Sequence, residues 1–535
     1  MTLTDNSHPH KPVYLSSLGS HLECCFDLLG NMSDFEDAIL NIKRAVELVG
    51  DDHPIKGNSK AKLLSKLGCI QGTHFRCLGH FSDLRNAILN IGIAGKLTDD
   101  RDRTKPGYFW DLGLLQQIQF GHLGNLTDLE NAILNMERVI NLRDKNDPRM
   151  SRDLSRLGGV QKIHFEHLGD VAERAHFVSS FRAAVQRKTA YPGTAIHAAC
   201  QWAEILYLHG DFQSALNGNH TALELLLKVA WLGLDLHLCQ NLLLLENSDN
   251  LGCLAATCAI QLGNLEEAIK LLDMGQSVFW HQESSLQSDL EMLREKEPLL
   301  AEELERIGLK LNEEAFTNSP SAPDEHYIDN DQWSAKSIGM ERCLLVDKWE
   351  TLVERVRQLP MFKYFLKPIP YCQLSQAVVT EQVVIINVSW YGVDTLIFGG
   401  TSHQIAHVSL PQTDFPILSE FATNILIQPP TNASVIQWQR YNTHYLQPAL
   451  RHVWNEITIH IFDKMQILLN GSASTPKCRI WWYPTGPFAF IPIHATGPKE
   501  GGIDTSNLVI SSYVTTLSSL FQAQHKQQQA VKGGL

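Results

Sequence analysis

Apolar positions in the first third of the chain recur at long, regular intervals. Leu18, Leu67, Leu112 and Leu157 each precede a glycine, and a second Leu-Gly pair follows eleven residues after each. Phe26, Phe75, Phe120 and Phe165 align between the two pairs. An acidic segment and a short apolar run come next: SDFEDAILN from Ser33, SDLRNAILN from Ser82, TDLENAILN from Thr127. The copies start 49, 45 and 45 residues apart, which marks a repeat architecture. Steps of eight and three residues place Leu67, Phe75 and Leu78, and their counterparts ending at Leu29, Leu123 and Leu168, on one helical face, predicted to be buried.

Each repeat therefore reads as two helices. Gly19, Gly68, Gly113 and Gly158 fall inside the first, where glycine costs about 1 kcal/mol against alanine, so close approach of a neighbouring helix is expected. Gly30, Gly79, Gly124 and Gly169 are placed to end that helix in a left-handed turn. Ser33 with Glu36, and Thr127 with Glu130, have capping-box spacing for the second helix. Ala38/Ile39, Ala87/Ile88 and Ala132/Ile133 then face the first helix. Loops DDHPIKG from Asp51, DRDRTKP from Asp100 and DKNDP from Asp144 separate the repeats, and stacked neighbours must complete the core. Leu3–Pro9 is similar to the loop Leu48–Pro54, so the array is expected either to extend upstream or to expose an apolar face on its first helix pair.

Residues 281–315 form a charged, helix-favouring stretch whose Leu286, Leu290, Leu293, Leu299 and Leu304 suggest one apolar stripe on a connecting helix. Thr317–Trp333 is rich in Ser, Pro, Asn and Asp and reads as a linker. A helix follows over Ile338–Leu359. Periodicity then changes. Val383–Val388 and Asp394–Phe398 are strand candidates joined by a turn at Tyr391-Gly392-Val393. Residues 418–469 are predicted helical. Arg479–Tyr483 and Leu508–Ser512 are further strands, the last leading into a helix at Thr516–Ala523. Strands alternating with helices point to an α/β sheet.

The repeat unit resembles a tetratricopeptide repeat, with a period longer than usual. Trp202–Leu216 and Gly252–Leu272 are closer to the ordinary form. The blocks VVIINVSWYGVDTLIF, RIWWYPTGPFAFIPIHA and LVISSYVTTLSSLF resemble the CHAT domain, the caspase-like domain that follows such repeats in fungal and bacterial proteins. The resemblance implies an all-α tetratricopeptide-like solenoid followed by a partial α/β caspase-like domain. The expected divisions are an array over 1–315, a linker over 316–336, the N-terminal part of the α/β domain over 337–523, and a disordered tail over 524–535.

The same resemblance implies cysteine-peptidase chemistry through a Cys–His dyad whose thiolate attacks a peptide carbonyl. In the family the histidine and cysteine lie well beyond the Ser-Tyr strand, and only fourteen residues follow Phe521. No position matches either motif, so no catalytic residue is assigned. Cys478 and His494 match neither, and His452 and His460 read as satisfied histidines. No cofactor is expected, and no tight metal spacing is apparent among the 23 histidines.

Composition narrows the rest. The 535 residues are 44% hydrophobic and 19% charged, with a net charge of −13 that disfavours nucleic acid. No secretory signal or membrane span is evident. Eleven scattered cysteines suggest reduced thiols in the cytoplasm, with Cys24, Cys25, Cys253 and Cys258 as small buried residues. Two functions stand open. One is a scaffold that binds a protein or peptide in the repeat groove, through first-helix columns taken as exposed: Gln71, Gln116 and Gln161, and His74, Gln119 and His164. A solvated surface reads these columns equally well. The other is a fragment of a repeat-regulated peptidase. A sheet that stops early leaves an edge open to self-association.

Overall fold

The computed structural model describes residues 5, 8–49, 58–169, 173–188, 190–231, 250–316, 332–360, 362–367, 369–378, 381–400, 402–467, 477–498, 503–521 and 523. The loop from Asp51, residues 317–331 of the linker expected over 316–336, the run beyond Trp231, the side chain of Leu286 and the tail over 524–535 lie outside them; from Gln332 on, the expected linker is already helix. Two compact units divide the chain: Met1–Ala198 with Asn318–Leu344, and Ala199–Thr317 with Leu345–Leu535. The fold is a helical solenoid of adjacent pairs and an α/β unit with a five-stranded mixed sheet.

In the first unit the pairs are α1 (Lys11–Leu29) with α2 (Met32–Leu48), α3 (Asn58–Leu78) with α4 (Phe81–Leu97), α5 (Lys105–Leu123) with α6 (Leu126–Leu142), and α7 (Met150–Leu168) with α8 (Arg174–Val185). Each second helix packs on the next first helix, α2 on α3, α4 on α5 and α6 on α7. The glycine turns are as expected. Gly30, Gly79, Gly124 and Gly169 have φ between 66° and 75°, and each donates its N–H to the carbonyl of the aligned phenylalanine at 2.7–2.8 Å. The inner glycines permit the close approach within a pair. A Cβ on Gly68 would stand 2.5 Å from Ile91 Cγ1 and 2.9 Å from the Ala87 carbonyl oxygen.

Three expectations for this unit need correction. The caps of α2 and α6 are Asn31 and Asn125, which accept from the N–H of Ser33 and Thr127; Ser33 and Thr127 themselves lie inside the first turn. The glycine turn leaves the next residue extended, so the asparagine takes the cap two positions early. Leu29, Leu78, Leu123 and Leu168 are exposed: each is the last residue before the chain reverses, three residues beyond the aligned phenylalanine. Cys24 and Cys25 are exposed on α1, as are Val13, Tyr14 and Leu28, while Cys253 and Cys258 are buried.

The second unit takes up α9 (Pro192–Leu208) from Ala199 on, and continues with α10 (Phe212–Trp231), α11 (Leu251–Gln261), α12 (Leu265–Lys296) and α13 (Pro298–Phe316). The stripe predicted over 281–315 is interrupted. Glu297 ends α12 and Pro298 restarts the chain at a new phase, so Leu293 and Leu304 are buried while Leu299 is 80% exposed. Leu300, Leu304, Ile307 and Leu311 of α13 pack on Trp349, Leu352, Val353 and Val356 of α14 (Gln332–Arg357).

The sheet contains β1 (Gln382–Ser389), β2 (Gly392–Gly399), β3 (Ser402–Ser409), β4 (Cys478–Pro484) and β5 (Val509–Tyr513), in the order β3-β2-β1-β4-β5. The β1–β2 and β2–β3 pairs are antiparallel; β4 is parallel to both β1 and β5. The hairpin turn is Trp390-Tyr391, since Ser389 pairs with Gly392, one position earlier than the glycine suggested. The polar alternation of SHQIAHVS hid β3 as an edge strand. The predicted helix over 418–469 is two: α15 (Phe415–Leu426), and an irregular helix from Val435–Tyr441 to Ile459–Lys464 with π turns at Asn442–Leu446 and Trp454–Thr458. The segment 427–434 between them is not helical.

Both faces of β1 are covered, which explains its near-continuous apolar run. Val384, Ile386 and Val388, with Ile480 and Trp482 of β4, pack on Leu418, Val453, Ile457, Ile461 and Phe462. The opposite face meets the helices that end the repeats. Asn387 donates to the Cys253 carbonyl (3.3 Å) and the Thr257 hydroxyl (2.9 Å) of α11, and Thr257 shares a hydrogen with Ser389 (2.9 Å). Tyr483 reaches the Leu272 carbonyl of α12 at 3.5 Å. The α11–α12 pair is thus one layer of an α/β/α arrangement.

Asp273 of α12 completes that layer. Its carboxylate accepts from the backbone N–H of Leu517 (2.6 Å) and Ser518 (3.2 Å) and from the Ser518 hydroxyl. It caps the helical turn at 517–521 that follows β5. Burial raises its carboxyl from 3.8 to about 6, against the lowering effect of these hydrogen bonds. The folded state therefore holds the proton more tightly than the unfolded chain. The resulting stability is full below pH 3.8 and is lost as pH rises through 6, on the order of 3 kcal/mol in all. Asp273→Asn keeps an acceptor for both N–H groups but does not titrate. The expected result is a melting temperature that changes less between pH 4 and pH 7 than in the unaltered chain. An unchanged pH profile would remove Asp273 from the account.

Candidate functional site

The glutamine and histidine columns are not exposed. Gln71, His74, Gln161 and His164 are buried, and Gln116 and Gln119 are half-buried. The glutamines of the first column face the second helix of their own pair. Gln71 accepts from Asn90 (2.8 Å), Gln116 from Asn135 (2.7 Å) and Gln161 from Ser180 (2.8 Å). The interval is 19 residues in each case. Leu22 holds this place in the first repeat, where Asn41 instead donates to the Asp37 carbonyl. A buried amide left without its partner costs about 1–3 kcal/mol, so the column is a register device between paired helices. The helix phase was read correctly, but the partner lay on another helix and its polar side chain was taken for water.

The two histidines of the second column are acid-paired. His74 Nδ1 lies 2.8 Å from Asp83 Oδ2, and His80, the residue just before α4, puts its own Nδ1 3.9 Å from the same oxygen. In the fourth repeat, His164 and His176 stand 3.8 and 3.2 Å from Glu173. The first cluster spans a helix, a turn and a helix, with two histidines six residues apart and the acid three further on. No standard metal spacing has that form, so sequence reasoning passed over it.

The second helices do expose an apolar row. Leu40, Leu89 and Leu134 occupy equivalent places on α2, α4 and α6 and are each more than half exposed. Each follows by two residues the alanine that packs on the first helix, a rotation of about 200° to the far side. On α4 the strip continues at i+4 and i+8 with Ile93 and Leu97, both exposed. The signal was present in the AILN motif, whose leucine was absorbed into an apolar run without its phase.

In the α/β unit, an open pocket of about 300 Å³ lies at the carboxyl end of β1. Trp390 stacks on Phe415 at 4.1 Å, and Ser419, Glu420, Thr423 and Asn424 of α15 complete the lining. Tyr391, beside Trp390, stacks on Tyr207 of α9 at 3.6 Å and 8°. The structure does not assemble His452 and His460 as a pair: His452 meets the Thr413 hydroxyl (3.1 Å) and His460 is exposed. His494 binds the Tyr513 hydroxyl at 2.9 Å, and Cys478 is exposed at the start of β4.

The geometry defines a helical-repeat protein with an attached α/β sheet unit. Compared with known protein families and with curated proteins, the chain has no match.

Proposed function

We propose that the chain is a protein-interaction scaffold of the cytoplasm, its helix pairs of the tetratricopeptide kind and its sheet unit of the CHAT kind. The carrying observation is the repeat-spaced leucine surface of Leu40, Leu89 and Leu134, extended by Ile93 and Leu97. Apolar side chains placed in register on a hydrogen-bonded frame suit an apolar helix or strand of a partner protein. Of the six glutamine and histidine positions, Gln116 and Gln119 retain accessible surface and would offer a partner polar contacts on the first helix, apart from the leucine row. The edge strand β5, with Ile510 and Tyr513 exposed, supports self-association as a further contact.

The test is Leu89→Glu with Leu134→Glu in the full chain. Both side chains are exposed, so stability should stay within about 0.5 kcal/mol. Proteins cross-linked to the unaltered chain should be lost with the double variant. Retention of the same proteins would sink the leucine surface as the contact site.

A second reading has its own observation, the aromatic pocket at the carboxyl end of β1, where open α/β sheets bind ligands. It is a caspase-like cysteine peptidase whose dyad would come from chain beyond these residues. Thiol-dependent peptide hydrolysis by a longer form that carries such a dyad, with none by these residues alone, would favour it over the scaffold.

A further inference from the structure

We propose that His74, His80 and Asp83 form a binding site for a divalent transition-metal ion of the zinc class. Among the described residues, these three offer ligand atoms that all lie within 4.8 Å of one another. Two imidazoles and a carboxylate are a zinc-type donor set, with a fourth position left to water. Tetrahedral ligands on bonds of about 2.0 Å stand about 3.3 Å apart. The observed separations of 2.8 Å and 3.9 Å from Asp83 Oδ2 bracket that value, so the site closes if the exposed His80 moves in and the Asp83 carboxylate draws back slightly from His74.

The frame is rigid where it needs to be. His74 is buried near the end of α3, with its ring stacked on Phe35 at 5.7 Å and 17°. Gly79, at φ 75°, makes the turn that brings His80 and Asp83 back towards it. His80 is the second, independent pointer. It stands where Asn31 and Asn125 cap the equivalent helices with their side chains, and it makes no capping bond. The second repeat thus forgoes a cap and carries a histidine aimed at the His74–Asp83 pair. In place of a cap, His80 adds a second imidazole beside the Asp83 carboxylate and the His74 ring, which completes a ligand set. His74 Nε2 is buried without a hydrogen-bond partner, so nothing orients or activates the ring from behind. Affinity should accordingly be about 10–100-fold below that of a site with such support.

The test uses the full chain, stripped with chelator, and Co²⁺ as a spectroscopic probe, with Zn²⁺ competing. The expected result is an intense four-coordinate visible band that Zn²⁺ displaces. His80→Asn should lose that band while melting at or above the temperature of the unaltered metal-free chain, because asparagine restores the cap. His176→Asn, in the fourth repeat, should keep it. No band in the unaltered chain, or an equal band in His80→Asn, would overturn the proposal. This inference is independent of the leucine surface and survives its failure.

Discussion

Gly275→Val is expected to prevent the second unit from reaching its native packing. A Cβ at Gly275 would stand 2.6 Å from the Gly252 Cα and 3.0 Å from the Gly252 nitrogen. Both are backbone atoms, so no side-chain rotation relieves the clash, and α11 and α12 must separate. Overpacking at a side chain costs about 1–3 kcal/mol; a backbone collision belongs at or above the upper end. The consequence reaches the sheet, because α11 carries the Cys253 and Thr257 partners of Asn387 and α12 carries Leu272 and Asp273. Loss of soluble protein, or a large drop in melting temperature, is the expected readout. Gly92→Ala and Gly121→Ala are the controls. Each sits in a helix with nothing within 4 Å of the added carbon, so both should be neutral or stabilising by up to about 1 kcal/mol. A Gly275→Val chain that melts like these controls would refute the close crossing.

The second large effect concerns what the sheet needs to fold. A fragment over 337–535 is expected to be insoluble or to lack a cooperative transition, whereas one over 192–535 should melt cooperatively. An unprotected edge strand contributes, but the larger cause is the uncovered face. Without α11 and α12, the fully buried Asn387, Ser389 and Tyr483 lose their partners or cover. The N–H groups of Leu517 and Ser518 lose the Asp273 carboxylate as well. Stranded polar groups of this kind cost about 1–3 kcal/mol each, a large share of a domain's stability. Sharp, cooperative melting of the short fragment would show that the repeat helices merely lie against the sheet.

Much of the fold was legible because it rests on local chemistry. The left-handed glycines, the inner glycines and the β-branched apolar run of VVIINV each state a backbone or face requirement that one residue type satisfies. What escaped notice depended on partners distant in the chain. Asn387 lies inside the apolar strand candidate Val383–Val388, and the partners that explain it lie 130 or more residues earlier. Gln71 and His74 looked solvated because Asn90 and Asp83 were not yet known to face them. Pro298 sat in plain view, yet its effect was to reset helical phase, which separated Leu299 from the stripe it seemed to join. The leucine surface was missed for the opposite reason: Leu40, Leu89 and Leu134 sat inside runs that looked like core. Of the candidate contact residues, the sequence showed the periodicity but not which side of the helix met water.

The central claim joins these findings: α11 and α12 are a structural layer of the α/β unit, so these two helices and the sheet unfold as one. Native-state hydrogen exchange of the full chain tests it most directly. The slowest amides of α11 and α12 and those of β1 and β4 should exchange with one shared opening free energy, and Gly275→Val should lower all of them together. Exchange of β1 and β4 at a distinct free energy, unmoved by that substitution, would contradict the account.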